Sequence, residues 1–61
     1  MKYYIKTIRS EDDRTNGVSY KYGPYTTIEE CIIDAERLHT NGYLYTEVSN
    51  DNDEIYCEYE N

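Results

Sequence analysis

Two periodicities of hydrophobic and polar residues run along this chain, and they predict four strands and one helix. Short segments rich in tyrosine, isoleucine and valine, in which apolar and polar side chains alternate, are typical of half-buried strands. A polar stretch that ends in an Asn16-Gly17 turn signal separates the first two segments, and a second polar stretch separates the last two. The predicted strands cover about residues 2–9, 18–22, 43–49 and 54–59.

Residues 28–40 show the helical pattern, because apolar side chains recur there at spacings of three and four. Thr27 is the expected N-cap, since Thr27 and Glu30 have the spacing of a capping box in which each side chain bonds the other residue's amide. Gly42 is expected to end the helix in a left-handed conformation, with Tyr43 folding back on Leu38. The predicted apolar stripe consists of Ile28, Cys31, Ile32, Ala35, Leu38 and His39.

The order of elements predicts an α+β fold, ββαββ, in which one helix packs on one face of a four-stranded, largely antiparallel sheet. A chain of 61 residues allows one small domain, residues 1–61, and a core this small favours a partner or a second copy that covers more surface. Gly23-Pro24 is expected to end the second strand. Strand order is left open, although a right-handed crossover would allow the first and fourth strands to lie together in the middle.

Because one helix covers only one face, strand alternation divides the side chains into two sets. The helix-facing set contains the most aliphatic positions: Ile5, Val18, Tyr20, Tyr22, Leu44, Val48, Ile55, Cys57 and Tyr59. The opposite face is expected to carry Tyr4, Ile8, Tyr43, Tyr45 and Tyr56, interleaved with Lys6, Glu47 and Glu58.

This tyrosine-rich face is the first candidate interaction surface, since tyrosine is enriched at the energetic centres of interfaces. The alternative is that tyrosine is an ordinary sheet residue, tolerated half-exposed in antiparallel sheets. Ile33 is a second candidate contact because it lies away from the helical stripe among charged neighbours, although a single exposed isoleucine is common. The predicted protein-binding residues are Tyr4, Ile8, Ile33, Tyr43, Tyr45, Glu47, Tyr56 and Glu58.

The net charge of the chain limits the kinds of molecule that it is expected to bind. Six basic and thirteen acidic residues give a net charge of −7, which disfavours direct binding to nucleic acid. Residues 1–21 carry +2 and residues 22–61 carry −9, a polarised arrangement that can steer association with a basic protein. No apolar stretch approaches the length of a membrane helix and no signal segment is evident, so no membrane partner and a cytoplasmic location are expected.

No cofactor, metal or catalytic site is predicted, and the chain is not expected to be an enzyme. Cys31 and Cys57 are expected to be reduced core residues, with a disulfide between them as the alternative. Cys31 and His39 would lie about 12 Å apart along the helix, too far for one zinc ion. The glycines are isolated, and the chain is too short for a deep cleft.

In size and charge, though in no motif, the chain is similar to the short proteins with which bacteriophages block host nucleic-acid enzymes or defence systems. Its carboxylates could occupy a basic groove that normally binds nucleic acid, or could simply keep the protein in solution. The first hypothesis is therefore a small acidic inhibitor or modulator that binds a protein with a basic surface in the bacterial cytoplasm. The alternative is a self-associating, homodimeric structural or accessory module. A third hypothesis, a small ligand against the tyrosine rings, lacks converging polar groups.

Overall fold

Four strands and two helices follow one another in the computed structural model, which describes all 61 residues. The elements are β1 (Tyr3–Ile8), α1 (Glu11–Thr15), β2 (Tyr20–Tyr25), α2 (Ile28–Thr40), β3 (Tyr45–Asn50) and β4 (Ile55–Glu60). All three strand pairings are antiparallel, and α2 packs against one face of the sheet. The predicted α+β fold, with a four-stranded antiparallel sheet and one packed helix, is confirmed.

The strands are arranged in the order β2-β1-β3-β4, so β1 and β3 form the middle of the sheet. The arrangement with the first and fourth strands together in the middle is therefore wrong. The connection through α2 passes over β1 and places β3 on its far side, parallel to β2. The tight turn between β3 and β4 then leaves β4 at the edge. Consequently the two hairpins lie side by side.

A short helix, α1, occupies the polar connection between β1 and β2 that the sequence predicted to be a turn. Ser10 caps it, since its Oγ accepts a hydrogen bond from the Asp13 amide at 3.3 Å. Three acidic residues fill the first turn, where they interact favourably with the positive end of the helix dipole. The helix buries no residue, so it contributes little to the core.

The boundaries of α2 agree with the prediction, and both helix ends use local capping. The Thr27 hydroxyl accepts a hydrogen bond from the Glu30 amide at 3.3 Å, which confirms Thr27 as the N-cap. The Glu30 carboxylate, however, accepts from the Thr27 hydroxyl at 3.2 Å instead of reaching the Thr27 amide. At the other end Gly42 has φ +92°, and the Tyr43 amide donates to the Leu38 carbonyl at 3.2 Å, as expected.

The second strand starts later and continues further than predicted, because Gly23-Pro24 does not end it. The register with β1 shifts at this point, from the pair of Ile5 with Tyr22 to the pair of Tyr3 with Tyr25. Gly23 has φ +125°, which accommodates the irregularity, and proline is tolerated because β2 is an edge strand. Pairing with β1 therefore resumes beyond the proline.

The fully buried hydrophobic core is small, and three polar side chains are buried beside it. The hydrophobic core consists of Ile5, Cys31, Ala35 and Val48; the buried polar residues are Thr7, Thr46 and Asn50. Threonine fits the inward strand positions because it is β-branched. The Thr7 hydroxyl donates to the Tyr45 carbonyl at 2.7 Å and lies 3.1 Å from the Thr46 hydroxyl, so both hydroxyls are satisfied.

Three residues assigned to the helix-facing set do not occupy inward strand positions. Val18 precedes β2 and is 39% exposed, and Ile55 is 51% exposed and pairs with Ser49, on the side of the sheet away from α2. Leu44 precedes β3, so Thr46 takes the first inward position of that strand. Inward positions assigned by hydrophobicity alone therefore included more apolar residues than the core contains.

Candidate protein-binding surface

Strand alternation leaves one side of the sheet without a covering layer. Ile5, Thr7, Thr46 and Val48 are fully buried on the side where α2 packs, so the alternate residues lie on the other side. We call this side the open face. It consists of Tyr4, Lys6 and Ile8 from β1, Lys21 from β2, Tyr45, Glu47 and Ser49 from β3, and Ile55, Glu58 and Glu60 from β4.

One row of charged residues crosses the open face from edge to edge. Lys21 pairs with Lys6, Lys6 pairs with Glu47, and Glu47 pairs with Glu58 in adjacent strands. Two lysines therefore occupy the half formed by β2 and β1, and two glutamates occupy the half formed by β3 and β4. The open face is basic on one half and acidic on the other.

The charged groups of this row do not pair with each other as ions within the molecule. The two ion pairs of the structure, Glu11–Arg14 and Asp34–Arg37, both lie within helices. Glu47 instead accepts a hydrogen bond from the Tyr45 hydroxyl at 3.0 Å. Burial and this bond raise the pKa of Tyr45. The charged heads of Lys6 and Glu47 thus remain available to a partner.

An aromatic and aliphatic strip flanks the charged row. Ile8 and Tyr45 are direct cross-strand neighbours, and both are half-buried. Tyr4 lies on the other side of the row, where the Lys21 ammonium group is 4.4 Å from the centre of its ring. This distance is typical of a cation–π contact, which holds the lysine stem against the ring.

Tyr43 was predicted on the open face but lies outside it. The residue belongs to the loop after α2, because the left-handed turn at Gly42 delays the start of β3 to Tyr45. The Arg9 guanidinium group lies 5.8 Å from the centre of the Tyr43 ring and 5.7 Å from that of Tyr20. Since Tyr20 pairs with the buried Thr7, this cluster lies on the helix side of the sheet.

Tyr56 was also wrongly assigned to the open face. Val48 pairs with Cys57 and Ser49 pairs with Ile55, so Tyr56 is the extra residue of a β-bulge. Its ring lies 5.8 Å from the ring of Tyr3, and its hydroxyl accepts a hydrogen bond from the amide group of the buried Asn50 at 2.9 Å. These contacts place Tyr56 on the helix side, where it is 46% exposed.

Ile33 is exposed as predicted, but on the opposite side of the molecule. It is 56% exposed on the outer surface of α2, next to acidic residues at helical spacing. We call this second region the outer helix surface: Glu29, Glu30, Ile33, Glu36 and Arg37. The structure therefore separates the predicted residues into three groups. The open face contains Tyr4, Ile8, Tyr45, Glu47 and Glu58. The helix side of the sheet contains Tyr43 and Tyr56, and the outer helix surface contains Ile33.

Lys21 was not among the predicted surface residues, but it belongs to the open face. A signal for it was present, since Lys21 alternates with Tyr20 and Tyr22 within the predicted second strand. Its neighbour could not be predicted, because the cross-strand pair with Lys6 depends on the register of the hairpin.

A cavity of about 210 Å³ lies between β2 and α2, and no sequence pattern indicated it. Its lining includes Tyr22, Tyr25, Asp34, Arg37 and Leu38. The Tyr25 hydroxyl donates to Asp34 at 2.9 Å, and Arg37 approaches the same carboxylate at 3.4 Å. Burial and the bond to Asp34 raise the pKa of Tyr25 to about 12. These polar groups thus bond each other across the cavity.

The thiols and the histidine lie on the helix side of the sheet. Both cysteines are free, Cys31 fully buried and Cys57 half-buried. Burial raises the pKa of Cys31 to about 11, which keeps the thiol protonated and unreactive near neutral pH. The His39 ring lies 5.4 Å from the Tyr59 ring, and its buried Nδ1 has no hydrogen-bond partner. No cluster of three or more potential metal ligands is present.

Comparison with protein-family models, with curated proteins and with solved structures finds no significant match for this chain. Neither helix combines the length and apolar character that crossing a membrane requires.

Proposed function

We propose that this chain works by binding another protein, and that the open face is its principal binding surface. The observation that carries the proposal is an uncovered sheet face on which Tyr4, Ile8 and Tyr45 flank a central row of charged groups that form no ion pair within the molecule. Protein interfaces combine apolar contact area with polar groups, and aromatic residues are enriched in them. Tyrosine is also enriched among the residues that dominate binding energy.

In this role the chain is a small acidic inhibitor or modulator of a protein with a basic surface, such as a nucleic-acid-processing or defence enzyme in a bacterial cytoplasm. Its net charge of −7 supports this, because a negative field accelerates encounter with a positive partner. Only two of its thirteen acidic residues are ion-paired. The acidic half of the open face and the outer helix surface lie on opposite sides of the molecule. Carboxylates that imitate a nucleic-acid strand would therefore all belong to one of these two surfaces.

The test starts from proteins retained by the purified chain from a bacterial lysate at about 50 mM and about 500 mM salt. The retained protein is then purified and its activity is measured with and without the chain. We expect a protein with a basic surface that is released at the higher salt concentration and inhibited or modulated at the lower one. Binding that does not change with salt, or a retained protein whose activity never changes, contradicts this role.

Two variants with the same change in charge identify the surface that contacts the partner. Glu47→Lys with Glu58→Lys alters the open face, and Glu29→Lys with Glu36→Lys alters the outer helix surface. Loss of the partner in one variant and not in the other assigns the contact. If both variants bind like the original chain, carboxylates do not determine the interaction.

A second candidate function is self-association, and one observation favours it specifically. The two halves of the open face have opposite charge, so the face is complementary to itself as well as to a foreign partner.

A further inference from the structure

The row Lys21, Lys6, Glu47, Glu58 changes sign at the middle of the sheet, between β1 and β3. Two copies of the chain can bring their open faces together around a two-fold axis in one of two simple orientations. An axis that lies in the plane between the two faces and runs across the strands places lysine over lysine and glutamate over glutamate. An axis parallel to the strands, between β1 and β3, places the basic half of each copy over the acidic half of the other.

We propose that the open face binds a second copy of this chain around a two-fold axis that runs parallel to the strands between β1 and β3. This rests on the proposed function, since it names the occupant of the same surface. In this arrangement each row of the face meets the same row of the second copy in reverse order. Lys6 therefore faces Glu47 of the other copy, and Lys21 faces Glu58.

The rows on either side are compatible with the same axis. Ile8 and Tyr45 are neighbours in one row, so the Ile8 of each copy faces the Tyr45 ring of the other. Tyr4 and Ser49 are neighbours in another row, so each Tyr4 ring faces a small serine. A large side chain opposite a small one suits the roughly 10 Å separation of packed sheets.

The size of the molecule limits the area of such a contact. The two longer dimensions of the molecule are 32 and 22 Å. Their product, about 700 Å², is an upper limit on the surface buried per copy, so the contact is smaller than the roughly 800 Å² per partner of standard interfaces. The monomer has only four fully buried hydrophobic residues, so a second layer over Tyr4, Ile8 and Tyr45 adds substantially to the apolar surface that is removed from water.

The dimer leaves the proposed role open to a basic target. Both outer helix surfaces remain exposed, one on each outside of the assembly, and the total charge is twice −7, that is −14. In the dimer the second copy therefore occupies the open face, and a basic target contacts the outer helix surface instead.

Charge reversal combined with mixing tests the axis itself. The mass in solution is measured by sedimentation from about 1 µM to about 1 mM, the range in which moderate dissociation constants fall. In the dimer, Lys6→Glu places two carboxylates opposite each other, and Glu47→Lys places two ammonium groups opposite each other. We expect each single variant to dimerise about 10- to 100-fold more weakly than the original chain. Arg37→Glu and Glu36→Lys make the same changes in charge on the outer helix surface and should leave dimerisation unchanged.

Two combinations should restore association. An equimolar mixture of the two single variants forms a heterodimer, because each reversed charge then meets an opposite one. The double variant Lys6→Glu with Glu47→Lys again forms a homodimer. Circular dichroism of every variant checks that the monomer remains folded. A restored complex cannot arise from unfolding, so these two measurements separate loss of the interface from loss of the fold.

The proposal is overturned if the original chain remains a monomer over the whole range, if the single variants dimerise as well as the two controls, or if the mixture does not associate. A monomer that still loses its target when Glu47 and Glu58 are reversed retains the proposed function without the dimer. A dimer of the expected charge behaviour that retains no target supports this inference and contradicts the inhibitory role.

Discussion

Asn50 organises the turn between β3 and β4, and its replacement by alanine is expected to destabilise the fold strongly. The residue is 1% exposed. Its Oδ1 accepts hydrogen bonds from the amides of Asn52 and Glu54 at 2.8 and 3.0 Å. Its Nδ2 donates to the Glu54 carboxylate and to the Tyr56 hydroxyl, each at 2.9 Å. Asn50→Ala removes these four bonds and a weaker one from Nδ2 to the Met1 sulfur at 3.5 Å, and it leaves two main-chain amides of the turn without an acceptor.

The magnitude follows from the number and exposure of these bonds. A hydrogen bond contributes about 0.5–1.5 kcal/mol net, and the Asn52 and Glu54 amides belong to exposed residues that water can reach once the side chain is gone. We therefore expect Asn50→Ala to lower the free energy of unfolding by about 2–4 kcal/mol. In a domain of this size 1 kcal/mol shifts Tm by about 4–8 °C, so Tm should fall by about 8–32 °C.

The assay is thermal and urea denaturation followed by circular dichroism at one protein concentration, because self-association would make apparent stability depend on concentration. Two variants serve as controls. Asn52→Ala alters an exposed asparagine of the same turn and should change the free energy of unfolding by less than about 0.5 kcal/mol. Tyr56→Phe removes only one acceptor and should cost less than about 1.5 kcal/mol. If Asn50→Ala costs no more than Asn52→Ala, the buried bonds do not stabilise the turn.

Three further outcomes are expected. Thr27→Ala removes the N-cap of α2 and should cost about 1 kcal/mol by urea denaturation, whereas Ser10→Ala should cost less, because α1 buries nothing. Gly23→Ala should cost at least about 2 kcal/mol, since φ is +125° and a Cβ would lie 2.9 Å from a main-chain oxygen of β1; an unchanged Tm would refute this. The raised pKa of Tyr25, about 12, means that its neutral form is favoured in the folded state, so stability is complete below pH 10 and declines as pH rises from 10 to 12. Tyr25→Phe removes one of the groups that cause this loss of stability, so the loss between pH 10 and 12 should be smaller in the variant. An identical loss would show that the bond to Asp34 does not contribute to it.

Local patterns predicted much of this fold because they are determined by neighbours in sequence. Thr27 and Glu30 are three residues apart, and the glycine that ends α2 directly follows its C-cap. The same rule applied to the first connection would have predicted α1, since Ser10 stands three residues before Asp13 and acidic residues follow it. The Asn16-Gly17 turn signal obscured this helix, although it lies just beyond the helix end.

The predicted side of the sheet was wrong for residues near a change in strand register, because alternation assumes that every second residue of a strand points to the same side. One extra residue in β4 places Tyr56 on the helix side, and the late start of β3 removes Tyr43 from the strand altogether. Nothing in the local sequence marks the bulge, since it arises from pairing with β3 and from the bond between Tyr56 and Asn50. The buried threonines were missed for a related reason: their hydroxyls find partners only across strands β1 and β3.

The uneven charge of the sequence is divided between the two halves of the sheet, because each hairpin forms one half. The bases lie mostly in residues 1–21, which contain β1 and the start of β2 with Lys21, and the acids lie mostly in the remainder, which supplies β3 and β4. Either hairpin order would therefore have produced a basic half and an acidic half. The observed order adds the apolar contact, because β3 in the middle brings Tyr45 beside Ile8. Charge separation thus follows from hairpin topology, and the contact between Tyr45 and Ile8 follows from strand order.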